Sequence, residues 1–239
     1  MIAVSHPYTK FWLLSMGLIQ GLFSQAQFAK TTQFSSGGIL STNGFGIVVQ
    51  AHLTDNNEKK SHHVSGYLHT IKHAQESRIK NDKYVNPNPY VFGKINAGGG
   101  IGLDYTFLYL IGEKNNKTPS LYWGTSLGPM LGIIKPYYIS YDKRGEQNLV
   151  IVQDEYIMAN QDSIIGGVSW IKGINEMKYT TGIHIDLHVV IEWTQYLTIH
   201  RWQNGVRMNY FPKNLTILYQ AKNALFLSFY TQYTLGKST

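Results

Sequence analysis

His184, Asp186 and His188 stand at alternate positions of the run Gly182 to Trp193 (GIHIDLHVVIEW). On an extended chain all three side chains leave the same face. Two imidazoles flanking a carboxylate could ligate a metal, carry a proton or, beside a serine, activate a nucleophile. Alternate strand residues are about 6.5 to 7 Å apart at Cα, so a third metal ligand has to come from elsewhere in the fold. Ser126 and Ser228 fall on the inward positions of other patterned runs, but neither lies in a nucleophile-elbow signature. The glycine-rich stretch Ala97 to Gly102 (AGGGIG) lacks the spacing and the following helix of a phosphate loop. The residues therefore assign no catalytic group, no metal and no cofactor, and the expectation is a protein that is not an enzyme.

The element that carries these histidines is more informative than the histidines themselves. The odd positions from 183 to 193 are Ile183, Ile185, Leu187, Val189, Ile191 and Trp193, whereas the even face holds His184, Asp186, His188 and Glu192. A wholly apolar face backed by four ionisable groups suits neither a protein core nor a soluble sheet. It is the pattern of a membrane barrel, with lipid outside and a polar interior. The alternation recurs at 224 to 236, where Leu225, Leu227, Phe229, Tyr233 and Leu235 face outward. It recurs again at 100 to 111 and 121 to 133, with small inward residues such as Gly102, Gly124 and Gly128; Pro129 requires a bulge or a strand end.

The chain has 239 residues, 43% of them hydrophobic and 15% charged, with 21 Lys and Arg against 14 Asp and Glu and no Cys. This composition excludes a disordered tail and a disulfide scaffold, and the missing thiols exclude thiolate zinc sites and iron–sulfur clusters. A formal charge of +7 favours anionic surroundings such as lipid head groups. Residues 1–26 carry Lys10, the apolar run Phe11 to Phe23 and a small-residue Ser24-Gln25-Ala26 site. They are expected to be a cleaved signal peptide, leaving 27–239 as one barrel domain.

Even strand number and short periplasmic turns give eight strands, at 33–42, 45–53, 61–73, 95–112, 120–136, 179–194, 198–211 and 224–236. The fold expected is all-β, a transmembrane antiparallel barrel of about eight strands with long extracellular loops at 74–94, 137–178 and 212–223. A barrel of that size is filled by its own side chains. If Tyr196-Leu197 is a two-residue turn, Glu192 faces Arg201 and Asp186 faces Arg207 across the hairpin. The expected lumen charge network is Asp104, His184, Asp186, His188, Glu192, Arg201 and Arg207, read as lumen filling in preference to an ion pathway.

Lys72, Arg78, Lys80, Lys83 and Lys94 lie in or beside the 74–94 loop and form a candidate anion-binding loop for lipopolysaccharide phosphates. The 137–178 loop is expected to fold over the mouth or to contact another outer-membrane or surface protein. Nucleic acid is excluded as a partner, because the basic residues belong to no recognisable binding module.

The runs STNGFGIVV (Ser41 to Val49), NPYVFGKIN (Asn88 to Asn96), LGIIKPYYISYDKRG (Leu131 to Gly145) and GGVSWIKGINEMKYTTGIHIDLHV (Gly166 to Val189) resemble a largely uncharacterised family of outer-membrane β-barrel proteins of the Bacteroidota lineage. The resemblance covers most of the chain after residue 26. It implies an exported outer-membrane barrel of a Gram-negative bacterium and brings no active site. The expected function is structural, or that of an accessory subunit of a larger envelope complex. The alternatives are a narrow transporter or ligand-binding barrel for a small solute, and a lipid-modifying enzyme.

Overall fold

The computed structural model describes residues 31–53, 59–112, 118–143, 145–151, 160–219 and 221–237. The signal peptide expected at 1–26 lies outside the described residues. Eight long strands alternate apolar and polar side chains along their length: β1 (Thr31–Ser41), β2 (Gly44–Leu53), β3 (Lys60–Ile71), β6 (Asn96–Leu110), β7 (Ser120–Pro136), β11 (Lys178–Gln195), β12 (Thr198–Leu218) and β13 (Ala221–Lys237). They form a closed antiparallel barrel in the order β1-β13-β12-β11-β7-β6-β3-β2. Closure is made by β1, which pairs with β2 on one side and with β13 on the other.

The outside of this ring is apolar. Ile47, Val49, Leu103, Leu127, Ile183, Leu187, Leu225, Leu227 and Phe229 are all exposed, far more than a water-facing sheet tolerates. Polar handles on this face are paired locally: Trp202 Nε1 donates to Thr231 Oγ1 at 2.8 Å. Around the short-turn end Trp193 stacks on His200, with ring centroids 5.2 Å apart, and Tyr233 Oη lies 2.7 Å from His200 Nδ1. Tyr179 and Tyr210 are exposed toward the other end. An apolar band between aromatic girdles is the surface of a membrane-spanning barrel.

Every strand end expected from the sequence is met within two residues, except at the last hairpin. There the long link expected at 212–223 is absent: β12 runs on to Leu218 and β13 starts at Ala221. The reason is a bulge. The pairing steps from Tyr210↔Leu225 to Leu215↔Asn223, so four residues oppose one, and Pro212, which has no N–H to donate, sits in the bulged stretch instead of ending the strand. Phe211 keeps the inward parity of Arg207 and Asn209, and beyond the bulged residues Leu215 and Ile217 return to the inside. Phe211, Leu215 and Ile217 then pack with Ile71, Met130 and Phe226 into an apolar cluster at the long-loop end of the lumen.

Pro129 is also not where expected. It lies inside β7, opposite Ile183 of β11, and the β6–β7 ladder breaks between Gly102↔Met130 and Tyr105↔Leu127, the side on which proline cannot donate.

The described residues of the two long loops are joined. Within 72–95, β4 (Arg78–Ile79) pairs with β5 (Tyr90–Val91). Within 137–177, β8 (Tyr138–Lys143), β9 (Glu146–Ile151) and β10 (Ile164–Gly167) form a sheet in the order β10-β8-β9. Tyr90, Ile139, Tyr141 and Ile164 make a second core between the loops. The backbone closes this cap onto the tall hairpin through Ile95 N–H to Ile217 O (2.9 Å) and Tyr219 N–H to Gly93 O (2.7 Å).

Small inward residues make room for large ones across the lumen. A Cβ added at Gly102 would stand 2.1 Å from Tyr67 Oη, whereas one added at the outward Gly66 meets nothing closer than 3.7 Å. Gly102→Ala is therefore expected to destabilise the barrel by about 1–3 kcal/mol. Gly66→Ala should be neutral, or stabilising by up to about 1 kcal/mol through the unfolded chain. Urea titrations in detergent micelles measure both, and equal effects would mean that the lumen is not tightly filled.

Candidate functional site

Among the described residues, chemistry-bearing side chains converge in the lumen. β11 supplies His184, Asp186 and His188 on its inward face, and the turn at Tyr196-Leu197, where Tyr196 takes φ 56°, sets its register against β12. The register pairs Asp186 with Arg207 and Glu192 with Arg201, as the two-residue turn required. Asp104, His184, Asp186, His188, Arg201 and Arg207 are all buried, and Glu192 is half-buried near the short-turn end.

Two polar centres result. In the middle, the Asp186 carboxylate is met from three sides: His188 Nδ1 at 2.5 Å on Oδ1, then His184 Nε2 at 3.2 Å and Arg207 Nη2 at 3.4 Å on Oδ2. Asp104, from β6, adds Oδ2 at 3.3 Å from His184 Nε2. His184 Nδ1 lies 2.9 Å from Asn209 Oδ1. The pair expected from the sequence is thus a cluster, with the histidines closer to Asp186 than Arg207 is. The guanidinium stands between two aromatic faces, 4.4 Å from the Tyr230 ring and 5.2 Å from that of Tyr67. Toward the short-turn end Arg201 forms an ion pair with Glu192, its Nε 2.9 Å from Oε2, and its Nη1 reaches the ring of His52.

A belt of amides and hydroxyls separates the two centres. Gln203 Nε2 donates to Tyr230 Oη at 2.5 Å, Gln50 Nε2 donates to Ser65 Oγ at 3.3 Å, and Ser35 Oγ sits 2.9 Å from His52 Nε2. Between them lies a void of about 10 Å³ lined by Tyr67, Asp104, Asp186 and Arg207 among others, room for roughly one water molecule.

His52, His63, His69, Tyr67 and Tyr230 were not singled out by the sequence reading. Their signal is the same period-two alternation: Val48, Gln50 and His52 against Ile47 and Val49, and His63, Ser65, Tyr67 and His69 against Val64 and Leu68. The serines do not form a hydrolytic centre with the histidines. Ser126 Oγ pairs with Thr106 Oγ1 at 2.8 Å, and Ser228 Oγ is buried without a partner among the described residues.

The basic loop is not one patch. Lys94 is buried, 2.5 Å from Glu76 Oε2 and over the Tyr137 ring. Lys83 pairs with Asp162. Arg78 and Lys80 are exposed, and Lys72, also exposed, lies over the lipid-facing ring of Phe45 at the rim.

Fold and lumen together define a class: a membrane-spanning eight-stranded antiparallel β-barrel with a side-chain-filled interior. Among solved structures the chain is similar to neisserial surface protein A, at 10% identity over 87% of this chain and 96% of that one, with a TM-score of 0.41. It is also similar to Ail, the attachment invasion locus protein of Yersinia pestis, at 9% identity over 87% and 97%, with a TM-score of 0.39. No protein-family model and no curated protein matches the chain in sequence.

Removing one member of the central cluster strands the others in a confined interior. Arg207→Ala is expected to cost about 3–5 kcal/mol, as for breaking a buried ion pair. Asp186→Ala combined with Arg207→Ala should cost less than the two single losses summed, with a coupling of about 0.5–3 kcal/mol. Unfolding of the two singles and the double in the same detergent decides this. Strict additivity would mean that the two side chains do not interact.

Proposed function

We propose that the protein is an outer-membrane β-barrel of a Gram-negative envelope, exported through a cleaved signal peptide at 1–26, that works without catalysing a reaction or conducting solute. Its role in this reading is structural, or that of an accessory subunit presenting the β4–β5 and β8–β10 cap on the cell surface to another outer-membrane or surface protein. The observation that carries the reading is the filled lumen: an apolar cluster at one end, paired charges in the middle and near the other end, and a void sized for a single water between. The apolar girdled exterior supports membrane insertion, and the fusion of the two long loops around their own core supports a platform in preference to a set of mobile connections. Outer-membrane lipid is the second partner. Lys72 at the rim, with Arg78 and Lys80 on the same cap, suits the phosphates of lipopolysaccharide.

In planar bilayers the purified protein should give no stable channel events; reproducible ohmic conductance would defeat the closed-lumen reading. Topology is tested with single cysteines, which the Cys-free chain makes clean. Val85→Cys, at a cap position 94% exposed, should label from outside intact cells, whereas Leu187→Cys should react with a lipid-soluble reagent alone. Labelling of position 85 only after the outer membrane is breached would reverse the orientation.

A further inference from the structure

We infer that Asp104, His184 and Asp186 form a binding site for a first-row divalent transition-metal ion inside the barrel. This inference is independent of the proposed envelope role. One ligand atom from each of the three lies within 4.8 Å of the others, and all three residues are buried. His184 Nε2 is 3.2 Å from Asp186 Oδ2 and 3.3 Å from Asp104 Oδ2. Donors held about 2.0–2.2 Å from a common ion at tetrahedral or octahedral angles stand about 2.8 to 3.6 Å from one another, so the imidazole nitrogen already has shell spacing to each carboxylate oxygen, and the two carboxylates, within 4.8 Å of each other, would close on the ion.

The surrounding bonds favour an ion at this point. His184 Nδ1 faces Asn209 Oδ1 and its Nε2 faces the two carboxylate oxygens, so that the Nδ1–H tautomer would present the Nε2 lone pair to an ion held between them. A cation at this point would compensate the two buried carboxylates. A proton on Nε2 points along one line and cannot serve both carboxylates well. The second, independent sign is Asp104 itself, 5% exposed, whose Oδ1 has no hydrogen-bond partner among the described residues. A metal would use the free valence of that carboxylate. Arg207 does not take this role, since it approaches Asp186 and stands between two aromatic rings.

The supporting contacts are those that orient metal ligands. Asn209 Oδ1, 2.9 Å from His184 Nδ1, is placed to hold the Nδ1–H tautomer, and His188 Nδ1 lies 2.5 Å from the other oxygen of Asp186. The adjoining void, lined by Asp104 and Asp186, has room for one water as a further ligand. One imidazole with two carboxylates selects zinc, manganese, iron or cobalt over calcium and magnesium, which prefer all-oxygen shells. Asp104 reaches His184 because β7, which runs between their strands, presents Gly128 opposite His184. A Cβ there would stand 2.9 Å from Asp104 Cα. The ion would therefore bridge β6 to β11 over β7.

The test uses untagged full-length protein, stripped with chelator and folded in detergent, with Co²⁺ alone as the probe, read by its visible absorption and displaced by Zn²⁺. We expect one saturable site. Asp104→Asn and His184→Gln should each weaken Co²⁺ binding at least about 100-fold. Asn209→Ala, a positioning change, should weaken it about 10–100-fold. His52→Gln, in the other polar centre, should leave it unchanged. Circular dichroism and heat-modifiable gel mobility establish that each variant is folded. Wild-type protein gives a readout that needs no variant: Zn²⁺ should raise its thermal midpoint and Mg²⁺ should not. Absence of a Co²⁺ signal in the wild type overturns the site. So does binding that survives Asp104→Asn or disappears in His52→Gln, which would place the ion among the other histidines.

Discussion

The rest of the structure depends on the ladder between the first strand and the last, paired from Ser35↔Gly236 to Ser41↔Tyr230. Opened at this seam, the sheet would present two edges of unpaired N–H and C=O groups to hydrocarbon, each costing several kcal/mol. Closed, it leaves no edge and fixes the number of strands at eight. Eight strands in turn fix an interior that side chains can fill and that has no width to spare. The bulk of Tyr67 on β3 is thus matched by Gly102 on β6, and charges that cannot reach bulk water must find each other.

That confinement explains why the polar residues sort into two centres. Glu192 and Arg201 lie near the short-turn end, where they answer each other directly and Glu192 keeps some exposure. Asp186 and Arg207 lie deeper, and there a single pair does not suffice. The carboxylate is met by three nitrogens while the guanidinium, satisfied on one side by Asp186, is flanked by the faces of Tyr67 and Tyr230, whose quadrupoles favour a cation. The geometry around Asp104 differs in kind, because its carboxylate has neither an arginine nor a full set of donors.

Much of this was legible in the sequence, for a definite reason. Alternation names the inward face of each strand, and a two-residue turn leaves only one register, so Asp186 against Arg207 followed from Tyr196-Leu197 by counting. The meeting of Asp104 with His184 could not be counted in the same way. It crosses an intervening strand and depends on Gly128 of β7 lying between them, which is a property of neighbour order and stagger in the closed ring. Nor could the fate of Pro212 and Pro129 be read. Proline signals a missing donor, but whether the chain stops, bulges or breaks one side of a ladder is settled by what packs around it. For Pro212 that is the burial of Leu215 and Ile217 beyond the bulge; for Pro129 it is a ladder interrupted toward β6 alone. The cap was legible only as a segment too long to be a connection, since its core joins residues such as Tyr90 and Ile164 from separate loops.

The placement of the apolar cluster bears most directly on what the barrel can do. A gate made from a loop can leave by bending at its ends, but Ile71, Met130 and Phe226 belong to β3, β7 and β13, strands of the wall itself. Their partners Phe211, Leu215 and Ile217 ride on the extended part of β12, which is stitched to β13 beyond the bulge and to the cap through Ile95 and Tyr219. To clear the lumen the chain would have to break wall pairing, expose this cluster and detach the cap in one event. Each of those steps opposes opening, and the charge cluster would still block the path below. The same connections that oppose opening tie the described part of the cap to the barrel wall, through the Ile95–Ile217 and Tyr219–Gly93 backbone bonds.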